Sequence, residues 1–505
     1  MTFAAVTALP APDVCEQARL SRDARFDGLF FTAVLSTGIY CRPVCPAPAP
    51  LRRNVRYYPS AAAATAAGFR PCLRCRPELA PGAMAHRLGE ALIDRALAMI
   101  AEGALIEGSV ADLAAKLGVG TRHLHRLFVE KTGVGPKAVH DTHRLLLARQ
   151  LLNETELPVT AVAEASGFAS LRRFNAAFRA ACAMAPSQVR RQRATIDEGG
   201  LNLRLAFRPP FDWEAVLEFL ARRSLPGIDR IRQGSYERVA GTPTAPVWLR
   251  VSPVAGRSEL RLELHGAGPC ALLRLVGRVR RVFDLDADPA AIADTLAQAP
   301  ELAASLRRRP GLRVPGGWDG FETAVRAVLG QQVSVAGART LAGRLVAEYG
   351  IPCGPTPAGF DALDRLFPNP ERLFDAPLER IGLPRARAGT LRALAAAVAR
   401  GEIDFSAGQQ LDDFVGRLTA LPGIGPWTAH YVALRALGHP DAFPASDLVL
   451  RQVLGNGTPV SAREAELRSE AWRPWRGYAT VHLWQLSSTH RAAEPEDPKS
   501  CATTP

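Results

Sequence analysis

The run LPGIGPWTAHYVALRALGHPDAFPASD, Leu421 to Asp447, joins a glycine-cornered turn to an amphipathic helix and then to a short loop that ends on a single carboxylate. Gly423 and Gly425 let the backbone turn at positive φ and approach another polymer with no Cβ in the way, while Pro422 and Pro426 stiffen the turn. From Thr428 to Leu437 the apolar positions Val432, Ala433 and Leu437 face away from a polar side. That pattern predicts a helix whose N-terminal N–H groups are free to meet a phosphate. Taken alone, LPGIG fits an ordinary Gly-Pro turn between two helices equally well.

The surroundings favour the hairpin of a helix-hairpin-helix, a clamp on the DNA backbone that does not read sequence. Over most of Leu201 to about His490 the chain resembles the AlkA-type 3-methyladenine DNA glycosylases II of that superfamily. The resemblance is carried by FDW at Phe211–Trp213, by RPGLRVPGGWDGFETAVRAVLGQQVSVAGA from Arg309, by the hairpin, and by WRPWRGYATVHLW from Trp472 to Trp484. It implies that Asp447 is the catalytic carboxylate and that Trp427, Tyr431 and Trp484 line a base pocket. Gly423 and Gly425 would meet DNA, and Gln331 and Gln332 would lie in a loop near the lesion. Core packing is the other reading of the aromatics, and a helix cap or core hydrogen bond that of either glutamine.

The chemistry suits these residue types. A base alkylated on a ring nitrogen is cationic and leaves without a general acid, so the site must supply a fixed anion beside the developing oxocarbenium. Electron-rich rings suit a flipped cationic base. Glycosylases of this superfamily that also cut the strand carry a lysine where Trp427 stands, and no lysine occurs between Lys137 and Lys499. A monofunctional enzyme without lyase chemistry is therefore expected. The four-cysteine iron–sulfur loop of some relatives is missing, since the only cysteine after Cys353 is Cys501, and the sequence leaves open whether a monovalent cation sits under the hairpin.

Composition sets the bounds. The chain has 47% hydrophobic and 22% charged residues and no apolar run of membrane-spanning length, which fits several globular domains. MTFAAVTALPAPDVCEQ lacks a basic start and is broken by Pro10 and Pro12, so neither signal peptide nor anchor is expected. Lys plus Arg minus Asp plus Glu is 25 − 15 = +10 for residues 1–193 and 37 − 34 = +3 for the rest. A polyanionic partner is thus favoured most by the first two-fifths of the chain.

Of nine cysteines four cluster, as Cys41 with Cys45 and Cys72 with Cys75. Two such knuckles can surround one tetrahedral Zn²⁺, and spacing alone reads as a structural site. The sequences RFDGLFFTAVLSTGIYCRPVC and RNVRYYPSAAAATAAGFRPCLRCRP resemble the N-terminal domain of Ada-type proteins. That resemblance implies that Cys41 accepts a methyl group from a DNA methylphosphotriester, acting as a stoichiometric methyltransferase. Zinc with four thiolates carries a formal charge of −2, and methylating one sulfur makes it −1, which should strengthen binding to DNA.

Two similar passages follow. SVADLAAKLGVGTRHLHRLFVEKTGVGP ends at Pro136 and PVTAVAEASGFASLRRFNAAFRAACAMAP at Pro186, with Gly118 and Gly167 at matching turns and a long helix around Leu145–Leu152 between them. The duplication resembles the DNA-binding domain of AraC-type regulators. Candidates for DNA contact are Arg122, His123, His125 and Arg126 in the first unit and Ser170, Arg172 and Arg173 in the second, with phosphate contact favoured over base readout. The second unit has Cys182 and Ala183 where an aromatic-Gly pair is usual.

The expected architecture is multidomain and mainly α with α+β parts. It comprises a small four-cysteine zinc methyl-acceptor domain (1–80), a double helix-turn-helix (86–193), a small mixed α/β domain (201–283), an all-helical helix-hairpin-helix glycosylase body (284–490) and a disordered tail (491–505). Pro77–Ala85 and RRQRATIDEGG, ending at Gly200, read as linkers. The expected function is an alkylation-response activator fused to a glycosylase for bases of the 3-methyladenine class. The alternative is a regulator whose C-terminal half binds DNA without excising bases. Expected partners are damaged duplex DNA, a promoter and RNA polymerase, but no membrane. The protein would act as a monomer at the bacterial nucleoid in the cytoplasm.

Overall fold

A computed structural model describes residues 9–82, 91–101, 103–191, 201–266, 268, 272–406 and 409–493. The end of the first linker, most of the second, and the tail beyond residue 493 lie outside the described residues.

The zinc module is a four-stranded sheet. Phe31–Val34 pairs antiparallel with Val55–Tyr58 on one side and with Ile39–Cys41 on the other, and Arg70–Pro71 runs parallel to Ile39–Cys41. The parallel register, Ile39 with Arg70 and Tyr40 with Pro71, sets Cys41 and Cys72 side by side. Helix Ala61–Ala66, capped by the Ser60 hydroxyl accepting from the Ala63 N–H, closes one face.

Each helix-turn-helix has the expected pair, Val110–Lys116 with Thr121–Thr132 and Val159–Ala165 with Leu171–Cys182. The 19-residue helix Pro136–Glu154 joins the two units. Gly118 and Gly167 take φ of +71° and +76° at the matching turns, and Phe128 and Phe178 are fully buried in their respective cores. The closing turns differ: Gly133 caps the first unit at φ +80°, whereas Ala183 holds the same left-handed turn in the second at φ +55°.

Residues Leu201–Ala206, Glu259–His265, Ala245–Pro253, Ser235–Thr242 and Asp229–Arg232, in that spatial order, form an antiparallel sheet. The last two strands escape the alternation test because Arg230, Glu237 and Arg238 form ion pairs on or beneath the sheet instead of facing water. One apolar core runs from the second helix-turn-helix (Leu151, Phe174, Phe178) into this sheet (Leu203, Leu249, Leu262). A second core fills the helical body, which is helical apart from a two-residue pairing of Ile351–Pro352 with Arg365–Leu366.

The hairpin lies between helices Leu411–Thr419 and Pro426–Val432. The second helix starts two residues before the predicted Thr428, because Gly425 is its N-cap and Pro426 suits its first turn. It then widens into a π-helical stretch, Ala433–Leu437, that ends at Gly438 with φ +65°.

Candidate functional site

The hairpin tip depends on glycine at one position. Gly423 has φ +81°, and a Cβ there would stand 2.0 Å from the Thr390 hydroxyl. Ile424 is buried as the anchor, leaving Pro422, Gly423, Gly425 and Pro426 exposed. The Gln331 amide donates to the Gly423 carbonyl (3.0 Å) and to the Thr428 hydroxyl (2.9 Å), and Arg387 donates to the Gln331 carbonyl (2.8 Å). Gln331 is thus a strut between its loop and the hairpin, in line with the hydrogen-bonding alternative. Gln332 is exposed at φ +56°, and neither glutamine lines the cavity described next.

Beside the hairpin lies a cavity of about 420 Å³ whose lining includes Trp427, Tyr431, Asp447 and Trp484. One helical turn separates Trp427 from Tyr431, so their rings stack with centroids 5.5 Å apart and planes at 16°. Trp484, from helix Arg476–Ala493, stands 6.2 Å from Tyr431. Asp447 caps helix Leu448–Leu454: Oδ1 accepts from the Leu450 N–H (3.0 Å) and Oδ2 from the Trp427 indole N–H (2.8 Å). Among the described residues no ion pair with an arginine, lysine or histidine is formed by Asp447, which is 9% exposed. Held by these two neutral donors, the carboxylate has one free lone pair on each oxygen.

The cavity floor carries no signal in the sequence. Phe219, Arg223 and Arg435 line it, with the guanidinium carbons of Arg223 and Arg435 lying 3.7 Å and 4.4 Å from the Phe219 ring centroid. The π-helical stretch turns Arg435 inward, where Nη1 donates to the Tyr431 hydroxyl (3.0 Å) and Nε to the Pro315 carbonyl. Burial pushes Arg435 down to about 10. Burial opposes ionisation of Tyr431, but Arg435 and Arg223 outweigh it and hold the phenol below its ordinary range. No spacing rule connects residues from positions so far apart in the chain.

The four cysteine sulfurs lie within 4.8 Å of one another. Sulfurs around zinc at about 2.3 Å stand about 3.8 Å apart, so the donor set fits. Such crowding sets the thiols against each other: hydrogen bonds from Cys41, Cys45 and Cys75 push Cys72 far down, while contact with Cys45 pushes Cys41 up. A divalent cation resolves that conflict by taking all four as thiolates. Cys72 and Cys75 are buried, and the Cys75 sulfur accepts the Arg42 N–H at 3.3 Å. Cys41 is half-buried, borders a cavity of about 740 Å³, and no backbone N–H of the described residues is aimed at its sulfur.

Around this cluster Arg42 pairs with Asp27 inside the module, and Arg149 of the long helix donates to the Cys72 carbonyl at 2.7 Å. On the second helices of the two helix-turn-helix units, Arg122, His123, His125 and Arg126, and Arg172 and Arg173, are exposed along one side. Ser170 spends its hydroxyl capping its own helix, accepting from the Arg173 N–H.

Four families match in succession: the metal-binding domain of Ada over residues 14–78, a helix-turn-helix domain over 113–192, the AlkA N-terminal domain over 202–319, and the HhH-GPD superfamily base excision DNA repair protein over 325–477. A probable bifunctional transcriptional activator/DNA repair enzyme AlkA of Mycobacterium tuberculosis is 43% identical over 477 residues, covering 93% of this chain and 95% of that protein. DNA-3-methyladenine glycosylase 2 of Escherichia coli is 33% identical over 283 residues, 55% of this chain and 95% of its own length. The Escherichia coli bifunctional activator/repair enzyme Ada is 41% identical over 149 residues, 30% of this chain and 41% of its own.

Proposed function

This chain belongs to the family of bifunctional transcriptional activator/DNA repair enzymes of the AlkA type, and from that premise we propose that it excises alkylated bases from DNA without cutting the strand and takes up methyl groups on Cys41. The observation that carries the first activity is the Asp447 carboxylate, capped only by neutral N–H donors, at the edge of a cavity walled by Trp427, Tyr431 and Trp484.

The hairpin holds the backbone through exposed N–H groups at the start of helix Pro426–Val432. The damaged base swings into the cavity and lies against the aromatic wall. As the glycosidic bond breaks, positive charge grows on the sugar beside Asp447. An anion already fixed by two hydrogen bonds stabilises that charge without reorganising. With Trp427 occupying the position where a Schiff-base amine would be needed, water is the nucleophile at C1′.

For the second activity, zinc when bound keeps the four sulfurs as thiolates. Cys41 and Cys45 are both half-buried at the same cavity, but a backbone N–H of Ala47 meets the Cys45 sulfur and none is aimed at Cys41, so the Cys41 lone pair attacks the methyl carbon of a phosphotriester. The C–O bond breaks and the phosphate leaves as the ordinary diester anion. The exposed arginines of the two helix-turn-helix units supply phosphate contacts at a promoter.

Base-release chromatography on methylated duplex DNA tests the glycosylase. Asp447→Asn should lower release at least a hundredfold while duplex affinity stays within about twofold, and undiminished release of 3-methyladenine would overturn the assignment. Intact-mass analysis after exposure to a methylphosphotriester duplex should find one methyl group, located on Cys41.

A further inference from the structure

The cavity at Cys41 is not enclosed by the zinc module alone. Its far side is Arg149 of the long helix together with Cys182 and Met184 from the closing turn of the second helix-turn-helix, where helix Leu171–Cys182 packs on strand Arg70–Pro71. The first unit closes differently. The Ser60 hydroxyl donates to the Thr132 carbonyl (2.6 Å), and a Cβ on Gly133 would stand 2.9 Å from that of Ala63, which leaves no room for a strand between that turn and the zinc module. On the second side the cavity gives way past Met184 to a shallow pocket lined by Arg179, Ala183, Ala185, Ser187 and Gln188. The two openings meet at Met184, which lines both.

Charge along this groove has one sign. Among the described residues neither lining contains an aspartate or a glutamate. Arg19, Arg42 and Arg149 reach carboxylates elsewhere, on Glu16, Asp27 and Glu78, whereas Arg22, Arg70, Arg74 and Arg179 form no ion pair among the described residues. The lining next to the cysteines is apolar: Pro43, Pro71 and Leu73 adjoin them in sequence, and Met184 joins them from the second unit. A methylphosphotriester is neutral, and its neighbours along the strand are monoanions. An apolar stretch bordered by arginines therefore suits a masked phosphate flanked by charged ones.

We propose that the second helix-turn-helix forms the far wall of the methyl-acceptor groove and that Arg179 holds a diester phosphate flanking the methylated one. The proposal rests on the methyl-uptake reading and adds a positioning residue to it. Arg179 takes no part in the transfer itself. By gripping the strand on the side away from the zinc module, it keeps the triester over the Cys41 sulfur while the module's own arginines meet the strand on the near side. Only the second unit has room for this, because the first is packed shut.

Single-turnover methyl uptake from a methylphosphotriester duplex, followed by intact mass, tests it in the zinc-loaded full chain. Arg179 is exposed, so Arg179→Gln removes a charge without emptying a packed site. The duplex concentration giving half the maximal rate should rise about tenfold, and the slope of log affinity against log salt should become shallower by about one. Arg179→Lys, which keeps the charge, should recover most of the loss. No change in either quantity would overturn the proposal, as would an equal loss in the lysine variant. The contact is located by walking one uncharged methylphosphonate linkage along the strand on either side of the triester and measuring duplex affinity by fluorescence anisotropy. At one position within about three linkages of the triester, the neutral linkage should weaken the wild type as much as Arg179→Gln does, and should weaken Arg179→Gln no further. Additive losses at every position would put Arg179 away from the strand beside the triester and sink the idea. Anisotropy needs no transfer, so a wild-type protein that leaves Cys41 unmethylated ends the methyl-uptake reading, while the coupling between Arg179 and one phosphate still decides the groove.

Discussion

The cysteine cluster and the aromatic cavity each hold a group that the proposed function turns toward DNA, but they are built in opposite ways. The cluster gathers Cys41, Cys45, Cys72 and Cys75 from two tight knuckles, and one parallel strand register brings the knuckles together. The pocket draws on Phe219, Trp427, Asp447 and Trp484, from four separate helices or their ends. One site concentrates negative charge that only a cation can hold. The other keeps the Asp447 carboxylate among neutral donors, with Arg223 and Arg435 in the same lining. A site made of local spacing tolerates little loss of any member, whereas a site made of distant pieces depends on the helices that carry them.

The largest effect should come from breaking the cluster itself. Cys72→Ser removes a buried ligand, and zinc content and methyl uptake should both collapse, as judged by metal analysis and intact mass. Base release in the same protein should change less than threefold, and a parallel collapse would show that the two sites are not separate machines. Next in size is Gly423→Ala, whose Cβ would meet the Thr390 hydroxyl at 2.0 Å. Affinity for a lesion duplex should drop about tenfold, equivalent to about 1.4 kcal/mol, with zinc content unaffected. Gln331→Ala deletes the strut to the hairpin and should cost about 1 kcal/mol in chemical denaturation. The smallest effect is a gain: Ala183→Gly relieves a left-handed alanine at φ +55°, and the relief of about 1 kcal/mol is partly offset by the freer unfolded glycine.

These contrasts also explain what could be read from the chain beforehand. Cys41 to Cys75, the paired helix-turn-helix passages and the LPGIG hairpin are local patterns, and each lies where its spacing puts it. Asp447, Trp427, Tyr431 and Trp484 came from resemblance and do converge on one cavity. Gln331 was ambiguous because an amide at a loop can face DNA or its own fold, and only its distances to Gly423 and Thr428 decide what it touches here. Arg223 and Arg435 carry no signal, since an arginine turned inward, as Arg435 is within a π-helical stretch, has the same letter as one facing water. Strands Asp229–Arg232 and Ser235–Thr242 were hidden for a related reason: their charged residues find partners across the sheet.

The apolar core that passes from Leu151, Phe174 and Phe178 into Leu203, Leu249 and Leu262 bears on how such a fusion can be divided. Severing the chain near residue 200 would bare greasy surface on both fragments, so the regulator and the repair enzyme are not beads on a string. Calorimetry of the intact protein should show the sensor's second reading head and the repair half's sheet melting in a single cooperative event.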